Sequence, residues 1–476
     1  AIIGSGIFAV VGIAAAGGAD GSSVGAGPAL VVSMIIAAIA CIFSALCYSE
    51  FATMIPVAGG AYTYTFATLG EFAAWMVGWV LMLEYAIGFI AVACAWSNHF
   101  VQFMAGFDKV LPAWLAHPPV WLTNDVFSVG KLVSENPDIH VPTLLGMPIC
   151  INLPAILIVL LITAILVKGT KDSAKMAGLM VFIKLAVIGL FILAGAFFVR
   201  PENWTPFAPH GAEGIFAGAF LIFFAYIGFD ALATAAEECK NPQKDLPIGI
   251  IGSLVITTIV YVLVALVLTG MQNTSGPVPL DFLKAPMAYC MMQAKQNWAA
   301  GLISVGSLAG LTSVLLVLEM AATRILFAMS RDHFISKRFQ KLDPKYKTPA
   351  LLTWTVGILA VVGILTLNLD VAAELCNYGT FTSFIIVCVA VLILRHTDPK
   401  RPRPFKVPFS PVTPALGIIC CGGLMIYKSS QAGSSALLFP VWLGFGAIIY
   451  LLYGFIKNRN NENRIHKEIV HGTSEN

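Results

Sequence analysis

Charge is what this sequence has least of. Only 11% of its 476 residues are Asp, Glu, Lys or Arg, where a soluble globular chain carries about 25%. So few charges cannot cover the surface of a water-soluble body of this size. The 28 Lys and Arg stand against 25 Asp and Glu, a net +3. A nucleic-acid reader needs a basic field that this balance does not supply, so no nucleic-acid partner is expected. Paired cysteines are missing as well. The ten Cys include no C-x-x-C and fall mostly inside apolar runs, where Cys is a small hydrophobe. Neither a disulfide framework nor a metal site is implied. The eight His lie in loops, tails or near the ends of apolar runs, and no H-E-x-x-H or G-x-x-x-x-G-K-[ST] occurs. Haem ligation, zinc hydrolysis and ATP hydrolysis therefore have no carrier. No cofactor and no enzymatic activity are expected.

Apolar length is what the sequence has in excess, with 58% hydrophobic residues. A spanning helix needs about 20 mainly apolar residues. Twelve such runs are expected, at 1–17, 28–53, 72–105, 151–167, 176–199, 213–238, 247–270, 298–329, 350–368, 372–394, 412–430 and 436–456. Residue 1 is Ala within an apolar run, with no charged stretch before it. The chain is thus expected to open partway through a helix, and not on a signal peptide. Alternating the connections places 21 Lys and Arg on one side and six on the other, with Lys184 alone inside a span. The positive-inside rule then puts both termini and the charged tail 457–476 in the cytoplasm. The basic runs 331–347 and 395–406 lie at the inner surface, where contact with anionic lipid is expected.

Two spans are interrupted. The first contains Gly4-Ser5-Gly6, and the sixth contains Gly228-Phe229-Asp230. Each Gly costs a helix roughly 1 kcal/mol, and an Asp at mid-span costs about 2.5–3.5 kcal/mol. A lone Gly usually marks close helix packing. Breaks in spans one and six, five helices apart, point instead to a transporter built from inverted repeats. An unwound stretch frees backbone N–H and C=O groups at mid-membrane depth, which is tolerated only where they line a cavity or meet a ligand. Free N–H groups suit a carboxylate and free carbonyls suit an ammonium. One site with both is built for the zwitterionic head of an amino acid.

Few ionisable residues remain inside spans. Lys184 in span five is either a structural counter-charge to carbonyls of the broken first helix or a proton carrier, and the two roles are compatible. Glu84 in span three lines the cavity, carries a proton or packs with hydrogen-bonded partners. Glu50, Glu237 and Glu238 lie near inner helix ends, as gate or structural groups. Asp230 caps the second half-helix or touches what moves. Glu319 and Glu374 have no assigned role.

The stretches AIIGSGIF (1–8), SALCYSEF (44–51), AGGAYTYTFATLGEFAAWMVGWVLMLEYAIG (58–88), FFAYIGFDALATAAEECKNPQKDLPIGI (223–250), TRILFAMSRD (323–332) and KTPA (347–350) occur in an order and spacing that resemble the amino acid–polyamine–organocation superfamily. Within it the sequence is most similar to the cationic amino acid transporter branch, of bacterial or animal type. The resemblance covers essentially the whole chain. It implies an all-α polytopic membrane protein with a five-plus-five inverted-repeat core and two extra helices. The first repeat falls in 1–199, the second in 213–395 and the extra helices in 412–456. It further implies alternating access in the plasma (cytoplasmic) membrane. By position, Ile2, Ser5 and Gly6 match the unwound first helix that meets the substrate carboxylate. Phe224, Ala225 and Ile227 match the sixth-helix break, which offers carbonyls to the ammonium and an aromatic lid (Phe224). Lys184 matches the lysine that stands in the place of a coupling sodium, which implies sodium independence; coupling to protons, with Lys184 as the carrier, or exchange is then expected. Glu84 matches an acidic position near the substrate, and Leu311 matches a side chain that limits pocket depth. The bulk of Leu311 favours a small neutral substrate over arginine. The partners implied are a small neutral or cationic amino acid, a proton, membrane lipid or sterol, and a small accessory membrane protein. A polyamine or other organic-amine carrier or exchanger and a non-transporting amino-acid sensor are the alternatives.

Overall fold

A computed structural model describes residues 2–18, 24–55, 60–107, 111–126, 129–130, 133, 141–144, 147–169, 171–234, 239–367, 369–431 and 435–453. Glu237, Glu238 and the tail 457–476 lie outside the described residues. The helices are α1 (Gly6–Ala16), α2 (Leu30–Met54), α3 (Ala61–Leu69), α4 (Glu71–Ala105), α5 (Leu153–Lys168), α6 (Lys171–Gly195), α7 (Gly211–Ile222, continued by a 3-10 turn Phe223–Tyr226), α8 (Ala231–Thr234), α9 (Pro242–Met271), α10 (Leu280–Lys284), α11 (Pro286–Gln293), α12 (Asn297–Arg331), α13 (Ala350–Thr366), α14 (Leu369–Thr397), α15 (Val412–Ser430) and α16 (Ser435–Tyr453), with one further helical turn, Ala113–Ala116, in the connection after α4. The β content among the described residues is one ladder of two residues a side, Thr143–Leu144 with Met147–Pro148. Eight of the helices are long and apolar enough to cross a membrane, and four shorter ones (α1, α5, α7 and α13) are apolar too. Their sum agrees with the twelve runs read from the sequence, and the chain is a multi-pass membrane protein.

The surface is apolar where a soluble protein would be charged. Phe182 and Leu193 on α6, Ile426 on α15 and Leu437 on α16 are each more than 70% exposed. Faces of that kind are stable only against hydrocarbon. The centre is α4, the most buried of the eight long helices, packed along α12 and α14. On one flank α9 packs on α2, and α6 packs on α12 and α9. The outermost long helix, α16, is the least buried.

Three short helices depart from the sequence expectation. The α3 helix stands apart from α4 because Gly70 has φ 86°, a left-handed conformation open to Gly. Beyond α9, α10 and α11 are too short to register as apolar runs. A Pro at the first turn of α11, Pro286, separates them, since Pro fits a helix start and not its interior.

The two interruptions are where the sequence put them. Residues Ile2–Ser5 precede the first turn of α1, and all four are buried. The next five residues, Gly6–Val10, form a π-helical turn, a wide geometry common at functional sites. In the second, the helix stops at Tyr226, Ile227 is extended (φ −62°, ψ 140°) and Gly228 has φ 115°. Chain direction is recovered at Ala231.

Candidate functional site

Both breaks expose main-chain carbonyls inside the bundle, and each carbonyl needs a donor. Two side chains from other helices supply them. Lys184 on α6 places its Nζ 2.9 Å from the Ile3 carbonyl and 3.2 Å from Ser313 Oγ on α12. Ser313 in turn donates to the Gly310 carbonyl at 2.7 Å. Tyr261 on α9 has its hydroxyl 3.0 Å from the Ile2 carbonyl and 2.9 Å from the Ala225 carbonyl. One hydroxyl thus reaches carbonyls of both breaks, but its single proton serves one at a time.

The breaks also touch directly. A Cβ on Gly6 would lie 2.2 Å from Ala225 Cα, so only Gly allows this approach. Beside it, a Cβ on Gly310 would lie 3.0 Å from the Phe8 ring and 3.3 Å from Lys184 Cβ. The lysine is therefore seated between α1 and α12, only 2% exposed.

A cavity of about 350 Å³ opens against this wall, a volume in the usual range for small-ligand sites. The two breaks reach it through Ile2, Ile3 and Gly228, and α6 through Val181 and Lys184. The rest comes from Ala231 and Leu232 of α8, Ser253 and Thr257 of α9, and Val317, Met320, Ala321 and Arg324 of α12. The α12 positions lie in the half of that helix nearest the basic loop 331–347, and the α9 positions, Ser253 and Thr257, lie in its N-terminal half and at its middle. The cavity thus extends from the breaks toward that face.

Of the residues named from sequence, Ile2 and Lys184 line the cavity. Ser5, Gly6, Phe224, Ala225, Ile227 and Leu311 are buried in the packed wall behind it. Glu84 is fully buried and turned toward α14, where Ser383 Oγ donates to its Oε2 at 3.2 Å. Its Oε1 has no hydrogen-bond partner among the described residues. Asp230 holds the corner of the second break. Its Oδ1 accepts from Gly228 N at 3.1 Å and its Oδ2 from the Tyr85 hydroxyl. Tyr261, Ser313, Met320 and Arg324 were not singled out in the sequence. Tyr261 carries a readable signal, because a Tyr hydroxyl in mid-span must find a partner.

Three other carboxylates are accounted for by their neighbours. Glu50 is clamped by Arg395 and by Arg403 Nε at 3.3 Å, and accepts from Val407 N at 2.7 Å. Glu374 meets Lys428 Nζ at 2.7 Å. Glu319 accepts from Thr163 Oγ1 at 2.7 Å and lies on the side of α12 away from the cavity. No cluster of three or more His, Cys, Asp or Glu fit for a metal is present among the described residues.

Comparison with known proteins agrees with this architecture. A family model described as amino acid permease matches residues 1–452. The chain is 41% identical over 452 residues to a methylthioribose transporter of Bacillus subtilis (strain 168), covering 95% of this chain and 90% of that protein. It is 41% identical over 462 residues to the branched-chain amino acid permease BcaP of the same organism, covering 97% and 92%. Cationic amino acid transporter 9, chloroplastic, of Arabidopsis thaliana is 34% identical over 403 residues, covering 84% of this chain and 65% of that longer one.

Proposed function

Because the chain belongs to the amino acid permease family, we propose that it is a secondary active transporter that moves L-amino acids by alternating access, independent of sodium and driven by protons. It is a transporter and not an enzyme. The observation that carries the finer reading is the ammonium of Lys184 on the Ile3 carbonyl. Freed carbonyls inside a membrane protein attract a cation. Here a side chain of the protein supplies that cation, which leaves no call for sodium at this place. An ammonium that is 2% exposed and held by one carbonyl and one hydroxyl is also a group that a proton can enter and leave.

The substrate carboxylate meets N–H groups of the turn at Ser5 and Gly6. Its ammonium takes the Ala225 and Ile227 carbonyls, with Phe224 covering it. Gly6 and Ala225 touch in the arrangement described, so binding requires the breaks to part. The repeats 1–199 and 213–395 each contribute one break, and their relative rocking exposes the site to either side. With the basic loops inside, the cavity is the inward vestibule, and both termini are cytoplasmic.

Uptake of labelled amino acids into proteoliposomes tests this, with and without an inward proton gradient and with sodium replaced by potassium. Gradient-stimulated, sodium-indifferent uptake is expected. Uptake that follows a sodium gradient, or pure exchange blind to pH, overturns the coupling. A second reading follows from the methylthioribose transporter at 41% identity. Uptake of methylthioribose with none of any amino acid replaces the first reading with that one.

A further inference from the structure

The end of the bundle remote from the cavity carries an ion pair set over α1 and α7. Glu374 stands near the start of α14, about six helical turns from Arg395, which clamps Glu50 beside the basic segment. Its Oε1 lies 2.7 Å from Lys428 Nζ near the end of α15, and its Oε2 accepts from the Ser435 hydroxyl at the start of α16. The two side chains are 18% and 12% exposed. Beneath them is a gap of about 20 Å³, room for about one water. The pair lines it together with Ile13 and Ala14 of α1 and Gly218 and Phe220 of α7. Further contacts tie α7 to the same two helices. The Lys428 ammonium sits 5.8 Å from the Phe220 ring centre, within reach of cation–π attraction. Asn377 Nδ2 on α14 donates to the Phe220 carbonyl at 2.7 Å, and the Tyr427 hydroxyl on α15 donates to the Glu213 carbonyl at 3.0 Å.

The geometry points to a latch: Lys428, aimed by Glu374 onto Phe220, holds the outer end shut while the larger cavity is open at the other. This rests on the reading of the protein as an alternating-access transporter and names what governs one of its two gates. The chain leaves the first break into α1 and enters the second from α7, so Ile13 and Gly218 lie beyond the breaks from the cavity. The two half-helices can therefore swing without carrying α8 with them. A path to the outer side needs α7 to part from α14 and α15. That movement breaks the cation–π contact and both carbonyl hydrogen bonds together. Glu374 is a positioning residue, since its own partners are on α15 and α16. Without it the ammonium is free to turn toward water. Removing a contact made only in the closed arrangement shifts the balance between the two arrangements. A partly buried pair, between the surface and buried limits, is expected to shift that balance by about tenfold.

The test uses the full chain in proteoliposomes with its native cysteines replaced. Ala217→Cys, beside the outer gap, and Ser253→Cys, on the cavity wall, report on the two ends through a membrane-impermeant thiol reagent. Slow labelling at 217 is expected in the otherwise unaltered protein. Glu374→Gln and Lys428→Met are each expected to speed it by about tenfold and to slow labelling at 253. Lys428→Arg keeps a cation above the ring and is expected to stay slow at 217. Equal rates at 217 in the unaltered, Lys428→Met and Lys428→Arg proteins overturn the latch. If a mixture of labelled L-amino acids is still taken up, the transporter reading stands. Faster labelling at 217 with no slowing at 253 shows a loosened fold in place of a shifted balance, and it overturns the latch too. No uptake of any labelled L-amino acid, with neither rate changed when the mixture is added, overturns the transporter reading itself.

Discussion

At the scale of single residues, the site is held by donors sent from helices that are not themselves broken. The ammonium of Lys184 and the hydroxyl of Tyr261 both end on main-chain carbonyls of the breaks. Removing a donor from a buried carbonyl costs about 1–3 kcal/mol. Lys184→Ala is therefore expected to lower thermal stability in detergent by that order and to abolish the stimulation of uptake by a proton gradient. A folded Lys184→Ala protein that keeps its pH response takes the proton role away from this residue. Tyr261→Phe keeps the ring and removes only the hydroxyl. A loss of about 1 kcal/mol and a weaker hold on amino acid are expected, measured by the substrate-induced shift in Tm. An unchanged shift shows that the hydroxyl only fills space. The lysine was legible in the sequence because a charge inside an apolar run stands out. The tyrosine hydroxyl signals only that a partner is needed in mid-span; that it meets carbonyls of both breaks is not legible until the helices are packed.

Among the elements, the two interruptions were legible and their consequences were not. Gly-Ser-Gly and Gly-Phe-Asp announce lost helix, and the structure stops its helices beside both. The contact between them is a property of the pair that no local sequence displays. It places Gly6 against Ala225 Cα, so Gly6→Ala is expected to force the breaks apart. Transport should fall by at least tenfold while the protein still inserts. The control is Gly249→Ala in α9, where a Cβ meets nothing within 4 Å and Ala is favoured by about 1 kcal/mol in a helix. Equal transport by the two variants removes the argument from close approach. Glu84 shows the same limit of local reading. Its place in span three is plain from sequence, but the side of α4 on which its carboxylate sits depends on how α14 packs. The short helices α3, α10 and α11 escaped because they are too short to show an apolar run.

At the scale of the whole molecule, the uneven distribution of Lys and Arg and the direction of the cavity make one statement about sidedness. Lys337, Arg338, Lys341, Lys345, Lys347, Lys400 and Lys406 are exposed at one face, as the positive-inside rule requires of the cytoplasmic side. Arg395 and Arg403 from the same basic segment turn inward instead and clamp Glu50 at the end of α2. This carboxylate is 1% exposed, and breaking a buried pair by removing one partner costs about 3–5 kcal/mol. Glu50→Ala is thus expected to lower the Tm more than any surface substitution in 395–406. A drop no larger than that of Lys400→Ala shows that the clamp is solvated. The clamp also fixes the segment after α14 beneath the bundle, on the face toward which the cavity runs. If that face is cytoplasmic, a cysteine at Ser253, on the cavity wall, reacts with a membrane-impermeant thiol reagent in inside-out vesicles and is protected in right-side-out ones. A background in which the native cysteines are replaced is needed, since Cys239 and Cys420 are only half-buried. Labelling with the opposite sidedness inverts the orientation of the whole chain. Labelling from both sides shows instead that the cavity changes face during the cycle, and added amino acid should then shift the ratio between the two.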